Sequence, residues 1–226
     1  KHTVADNIDL RYEFFPKSSE QFMVGLFYKK LNDPIEYGLL NEGQDTYYKP
    51  MNFGDATNLG VEIDIMKYFN WFGVKANYTY THSEVTTDKR TMNGSEVTSV
   101  KQSRPLFGQA AHVANLSLLF KETKYQWEGQ LAFSYTGKRL SDISNWYNDD
   151  IWEAGYSQLD ASVEKSFKNG ISIFAKASNL LDIPLLRFIQ NGPHTDSVES
   201  ERHDGNGIER KEWHGQSFML GIRFKL

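Results

Sequence analysis

Nine times along this chain of 226 residues, apolar and polar side chains alternate one for one. A period of two is the pattern of a strand with one dry face and one wet face, since successive side chains point to opposite sides. The alternation predicts strands near residues 6–15, 21–37, 56–67, 72–84, 110–121, 125–138, 156–167, 171–180 and 213–226. In the third, Leu59, Val61, Ile63 and Ile65 oppose Asn58, Gly60, Glu62 and Asp64. In the fourth, Val74, Ala76, Tyr78 and Tyr80 oppose Lys75, Asn77, Thr79 and Thr81, and in the sixth Trp127, Leu131, Phe133 and Tyr135 oppose Glu128, Gln130 and Ser134. The final stretch, GQSFMLGIRFKL, keeps its apolar face to the last residue, where the ends of soluble domains usually fray. Several of these strands run to ten residues or more, about twice the usual length in globular proteins.

The connections alternate as well. Short turns, PKSSE, KYFN, KETK and KNG, join the first strand to the second, the third to the fourth, the fifth to the sixth and the seventh to the eighth. Long segments, roughly 38–55, 85–109, 139–155 and 181–212, make the other connections. Short and long in turn is the habit of an up-and-down transmembrane barrel, with tight periplasmic turns and long external loops. Aromatic residues gather at both strand ends, as expected where hydrocarbon meets headgroups. Phe14, Phe15, Tyr68, Phe69, Trp71, Phe72, Tyr125, Trp127, Phe167 and Phe224 flank the short turns, while Tyr28, Tyr37, Tyr80, Tyr135, Tyr156 and Trp213 lie toward the long loops. The orientation of the faces follows from energy, because Arg or Lys on the lipid side near the midplane costs about 2–4 kcal/mol and carboxylates less. Glu62, Asp64, Lys75, Asn77, Glu128 and Gln130 are therefore expected to face a wet lumen. A soluble β-sandwich is the competing all-β reading, and strand length and loop asymmetry count against it.

Composition narrows the classes. A net charge of −4 without a basic run argues against nucleic-acid binding, and the absence of cysteine excludes disulfides. Aromatic residues make up 14% of the chain, a proportion suited to strands and to apolar–aqueous boundaries. No apolar run approaches the length of a transmembrane helix, which leaves a barrel open. The start, KHTVADNIDL, has no signal peptide. The whole chain reads as a single domain, residues 1–226. If every short turn is periplasmic, nine strands place residue 1 outside the cell, so the chain is expected to be the carboxy-terminal part of a larger barrel.

The stretches DNIDLRYEFFPKSSEQFMVGLFYKKLNDPIEY, ATNLGVEIDIMKYF, LDASVEKSFKNGISIFAKASNLLD and HGQSFMLGIRFKL resemble, in that order, the carboxy-terminal barrel region of TonB-dependent outer-membrane receptors, notably of the Bacteroidetes type. The resemblance implies a barrel of about 22 strands around an amino-terminal plug, with this chain supplying the last nine strands and no plug. It implies uptake of a scarce nutrient (iron chelate, cobalamin, glycan or peptide) driven by the TonB energy-coupling system through the plug. The implied partners are outer-membrane lipid, the remaining barrel strands and plug, and a surface lipoprotein; no cofactor is implied, and the location is the outer membrane of a Gram-negative bacterium. In such receptors the final strand closes against the first, and a terminal aromatic is read by the assembly machinery. Here the last residue is Leu226, with Phe224 two places before it. The alternative from another class is a passive porin or surface-adhesin barrel.

Three long loops hold the candidate ligand contacts. Loop 139–155 brings Trp146, Tyr147 and Trp152 together with Asp149 and Asp150, a set suited to stacking on sugars and bonding their hydroxyls. Loop 38–55 adds Tyr47 and Tyr48, and the polar loop NGPHTDSVESERHDGNGIERKEWHG adds His194, Asp196 and His203, with Glu199, Glu201, Asp204 and His214 around them. Imidazoles beside carboxylates could bind a divalent metal or an iron chelate, although a solvated charged face is the plainer reading. DGNG at 204–207 is not a calcium loop, since Arg202 and Trp213 stand where acidic ligands are needed. No metal site is assigned. Nor does any nucleophile, zinc or phosphate-loop motif occur, so no catalytic residues are expected.

Overall fold

The computed structural model describes residues 1–42, 45–190 and 207–224, and among these every regular element is a strand. In chain order they are β1 (Val4–Phe14), β2 (Gln21–Asn32), β3 (Ile35–Glu42), β4 (Asp45–Asn52), β5 (Ala56–Phe69), β6 (Phe72–Asn93), β7 (Glu96–Arg104), β8 (His112–Glu122), β9 (Trp127–Thr136), β10 (Arg139–Ser144), β11 (Ile151–Glu153), β12 (Tyr156–Ser166), β13 (Ile171–Ser178), β14 (Leu185–Ile189), β15 (Gly207–Glu212) and β16 (Ser217–Phe224).

Two sheets result. The larger runs β1-β2-β5-β6-β8-β9-β12-β13-β16, the nine strands that alternation picks out, each antiparallel to its neighbour. Its register carries one polar face without interruption across neighbouring strands. Gly25 pairs with Glu62, Glu62 with Thr79, Asp64 with Asn77, Asn77 with Asn115, Lys121 with Glu128 and Gln130 with Ser162. All six residues expected on the lumen side thus share a face. The opposite face is apolar in the same continuous way, through Leu26, Val61, Tyr80, Leu116, Phe133, Leu159, Ile173 and Ile222. On β5 this apolar face runs from Leu59 to Ile65, about 20 Å at the usual rise per residue.

Aromatic side chains on the polar face are folded flat against cross-strand glycines. Phe27 covers Gly60 and Phe174 covers Gly221, where an added Cβ would come within 2.5 Å and 2.4 Å of the ring. A larger residue at Gly221 would lift the ring off the sheet, and one at Gly60 would also meet the Tyr80 carbonyl oxygen at 2.2 Å. Tyr68 lies over Gly73 in the same manner. Register puts it, and Tyr156, on the polar face, which removes both from the outward aromatic belts expected of them.

The long connections are largely not loops. β3, β4, β10, β11, β14 and β15 form a second sheet in the order β15-β14-β11-β10-β3-β4, and β7 doubles back along β6. The strand expected over 21–37 stops at Asn32, because Asp33 takes a left-handed φ of 49° and turns the chain into β3. Nor is every pairing antiparallel: β10 runs parallel to β3 through Ile143 with Gly38 and Ser144 with Leu39.

Candidate functional site

Strand β6 is 22 residues long and joins the two sheets. Over Phe72–Tyr80 it pairs with β8, and over Val85–Asn93 with β7, on the edge opposite β5. About ten tilted residues suffice to cross a bilayer, so the upper half of β6 projects beyond that length as a hairpin with β7. A two-residue connection closes it, with Gly94 at φ 65° in the position where such turns need glycine.

Alternation along β6 decides which side of this hairpin is covered. Lys75, Asn77 and Thr79 lie on the polar face, and the same face continues upward through Thr81, Ser83, Val85, Thr87 and Lys89. Those five are all buried, whereas their even-numbered neighbours are exposed. The second sheet therefore packs on the polar side of the hairpin, as a cap leaning over that face. Its dry centre consists of Leu140 and Ile143, both fully buried, with Val85, Ala56, Leu40, Ala110 and Phe188 around them.

Buried ion pairs fasten the cap. The Lys89 ammonium donates to Asp150 Oδ1 at 2.6 Å and to the Ser144 carbonyl, and the Ser144 amide donates to the same carboxylate oxygen at 2.8 Å. Burial lowers the Lys89 pKa, aided by the nearby Arg104 charge and opposed by Asp150 and Asp149. On β7, directly across from Val85, Arg104 grips Glu36 of β3 with two nitrogens, at 2.8 and 3.3 Å, and stacks on Phe53 with its charge 5.1 Å from the ring centre. Glu36 also accepts the Phe107 amide at 2.6 Å. Within the cap, Asp142 of β10 accepts from Arg187 of β14 and from the Tyr48 hydroxyl of β4 at 2.6 Å. Each carboxylate is thus shared by several donors, which is what permits a charge to be buried.

The expected ligand contacts fall at several places. Tyr48 is half of the bond to Asp142, while its neighbour Tyr47 lies on the opposite side of β4. Asp150 is 2% exposed and held by Lys89; Asp149 accepts from the Ser144 hydroxyl at 2.9 Å. The backbone at Trp146 forms a parallel bridge with Arg90 of β6, leaving Tyr147 exposed beside it. Trp152 lies under the Lys138 ammonium, 4.4 Å from the ring centre, and Lys138 donates on to Gln190 at 3.0 Å. Burial also lowers the pKa of Lys138. Asp150 and Trp152 come together with Gln102, Ser103, Asn148 and Gln190 around an open cavity of about 180 Å³. His194, Asp196 and His203 lie outside the described residues. Among the described residues, no cluster of three or more metal-binding side chains occurs.

Sequence reasoning passed over Lys89, Arg104, Glu36, Asp142 and Arg187. One signal was available for Lys89: counting by twos up β6 from Asn77 places it on the polar face, deep in a segment read as loop.

A family model described as TonB dependent receptor-like, beta-barrel matches residues 1–180. No curated protein matches the sequence. Among solved structures, the chain is similar to the copper transporter OprC, at 14% identity and a TM-score of 0.63, over 98% of this chain and 31% of that one. It is similar to the ferric enterobactin receptor PfeA of Pseudomonas aeruginosa, in a G324V mutant, at 16% identity and a TM-score of 0.58, over 97% of this chain and 31% of that one. The FrpB iron transporter of Neisseria meningitidis aligns at 12% identity and a TM-score of 0.56, over 98% and 31% of the respective chains. The chain thus spans about a third of the length of these structures, and at such identities the likeness is one of fold.

Proposed function

The chain belongs to the TonB-dependent receptor β-barrel family, and from that membership we propose that it forms wall and outer rim of a receptor that imports a scarce nutrient across the outer membrane of a Gram-negative bacterium of the Bacteroidetes type. In this reading the apolar face of the larger sheet meets lipid and the polar face lines the lumen. The remaining strands of a barrel of about 22 strands and an amino-terminal plug complete the receptor, and TonB acts through the plug. A surface lipoprotein is a candidate partner above the cap. The cap supplies ligand contacts from Tyr47, Tyr48, Trp146, Tyr147, Asp149, Asp150 and Trp152, and the polar loop adds His194, Asp196 and His203. Iron chelate, cobalamin, glycan and peptide are the cargo classes.

The observation that carries this reading is the position of the cap, packed on the polar side of a strand that continues directly out of the wall. A passive porin needs its polar side open to flow, whereas a receptor needs a shaped surface over it. The test is growth of a deletion strain on single iron or carbon sources, with and without a working TonB. Loss of growth on one source, reproduced by loss of TonB, is expected. Growth that ignores TonB would replace the importer with a pore.

A further inference from the structure

At the short-turn end of the apolar face, positive charge is held against aromatic rings. Lys165 of β12 lies in register with Trp127 of β9 and Ile173 of β13, which puts it on the apolar face. Its ammonium stands 5.4 Å from the centre of the Trp127 ring and 5.6 Å from that of Phe167, and donates to the Tyr125 carbonyl. Lys124, in the adjoining turn, stands 5.2 Å from the centre of the Tyr125 ring. Further along the same rim, Lys67 of β5, also on the apolar face by its pairing with Val74, stands 5.4 Å from the centre of the Phe69 ring.

None of these three lysines has a carboxylate partner among the described residues. Glu122, the acid beside Lys124, spends one oxygen on the Lys124 amide at 2.9 Å and the other on the Tyr125 amide at 2.5 Å. On the opposite rim the balance is reversed: Asp6 stands directly across from Lys30, and Glu84 lies further along the same row. A cation above an exposed aromatic ring at the edge of an apolar face, where two lysines outnumber the one carboxylate in their row, has the chemistry of an anionic headgroup site: rings at the depth of the acyl–headgroup boundary and ammonium groups at the depth of the phosphate.

We propose that Lys124 and Lys165, framed by Tyr125, Trp127 and Phe167, form a binding site for the phosphate of an anionic phospholipid in the periplasmic leaflet, and that Lys67 with Phe69 extends it along the rim. This rests on the reading that the apolar face meets lipid and that the short turns are periplasmic. The site holds annular lipid and sets the depth of the wall through charge, separately from the apolar band.

The test uses the intact receptor in nanodiscs of phosphatidylcholine mixed with phosphatidylglycerol, followed by extraction into mild detergent and counting of retained lipids by native mass spectrometry. Phosphatidylglycerol is expected to be enriched roughly tenfold over its bulk fraction at low salt, in line with the usual contribution of a few basic residues near a membrane surface. Lys124→Gln with Lys165→Gln should bring enrichment close to the bulk fraction, while Lys30→Gln on the opposite rim leaves it unchanged. Equal enrichment in the double variant and the parent would overturn the site, as would an equal loss in Lys30→Gln. A receptor that stays soluble without discs or detergent would instead overturn the lipid-facing wall on which the site depends.

Discussion

The wall and the cap are built from one chain on opposite rules. In the larger sheet away from the hairpin of β6 and β7, side chains on both faces remain in contact with the surroundings: Ile8 is 71% exposed and Leu220 78%, and ion pairs such as Lys121 with Glu128 at 2.6 Å are open to water. In the cap, Leu140 and Ile143 are fully buried, and Asp150 and Glu36 are buried with them against Lys89 and Arg104 of the hairpin. Hydrogen-bonded ladders and the solvent on each side hold the wall; a dry centre crossed by paired charges holds the cap. Charge therefore has a different worth in each region, since exposed pairs contribute about 0–1 kcal/mol and breaking a buried one costs about 3–5 kcal/mol.

The sharpest way to break the contrast is Lys89→Met, which leaves the buried Asp150 charged with only the Ser144 amide donating to it. The cap is expected to loosen by about 3–5 kcal/mol, seen as protease cleavage within 141–150 of the receptor in membranes while the wall stays folded. Adding Asp150→Leu should restore most of the protection, because a buried pair exchanged for apolar side chains is often neutral. Cleavage unchanged in Lys89→Met would show that the ion pair does not hold the cap. Next in size is Ile63→Arg, which places a charge on the apolar face at about 2–4 kcal/mol and should reduce the folded, heat-modifiable band on gels, where Asp64→Asn leaves it intact. Equal assembly of the two variants would reverse the faces. Smallest is Lys121→Gln, whose exposed pair with Glu128 should change unfolding by less than about 1 kcal/mol.

The same contrast explains what could be read in advance. All nine wall strands were legible because each carries apolar side chains on one face and polar ones on the other, and period-two hydropathy records that difference. The cap strands bury charge. In RLSDIS of β10, Leu140, Asp142 and Ser144 are all buried, so the inward set mixes apolar, acidic and hydroxyl side chains and the hydropathy signal cancels. β3 hides Glu36 beside its apolar residues for the same reason, and a parallel pairing of two residues leaves no sequence trace. The aromatic and acidic residues of loop 139–155 are visible as a local cluster in sequence, but the partners of this loop, Lys89 and Gln102, lie in a different segment, out of reach of local pattern. Tyr68 and Tyr156 were misplaced because counting aromatics near a strand end ignores on which side the register puts them.

A flap on flexible tethers swings freely, because hinges are a few loop or terminal residues that absorb large backbone rotations. Here an unbroken ladder runs from Phe72 to Asn93, and the capping sheet is clamped to its upper half. Whatever tugs on that sheet must flex this mast along its length, so mechanical load reaches the rungs of the larger sheet below.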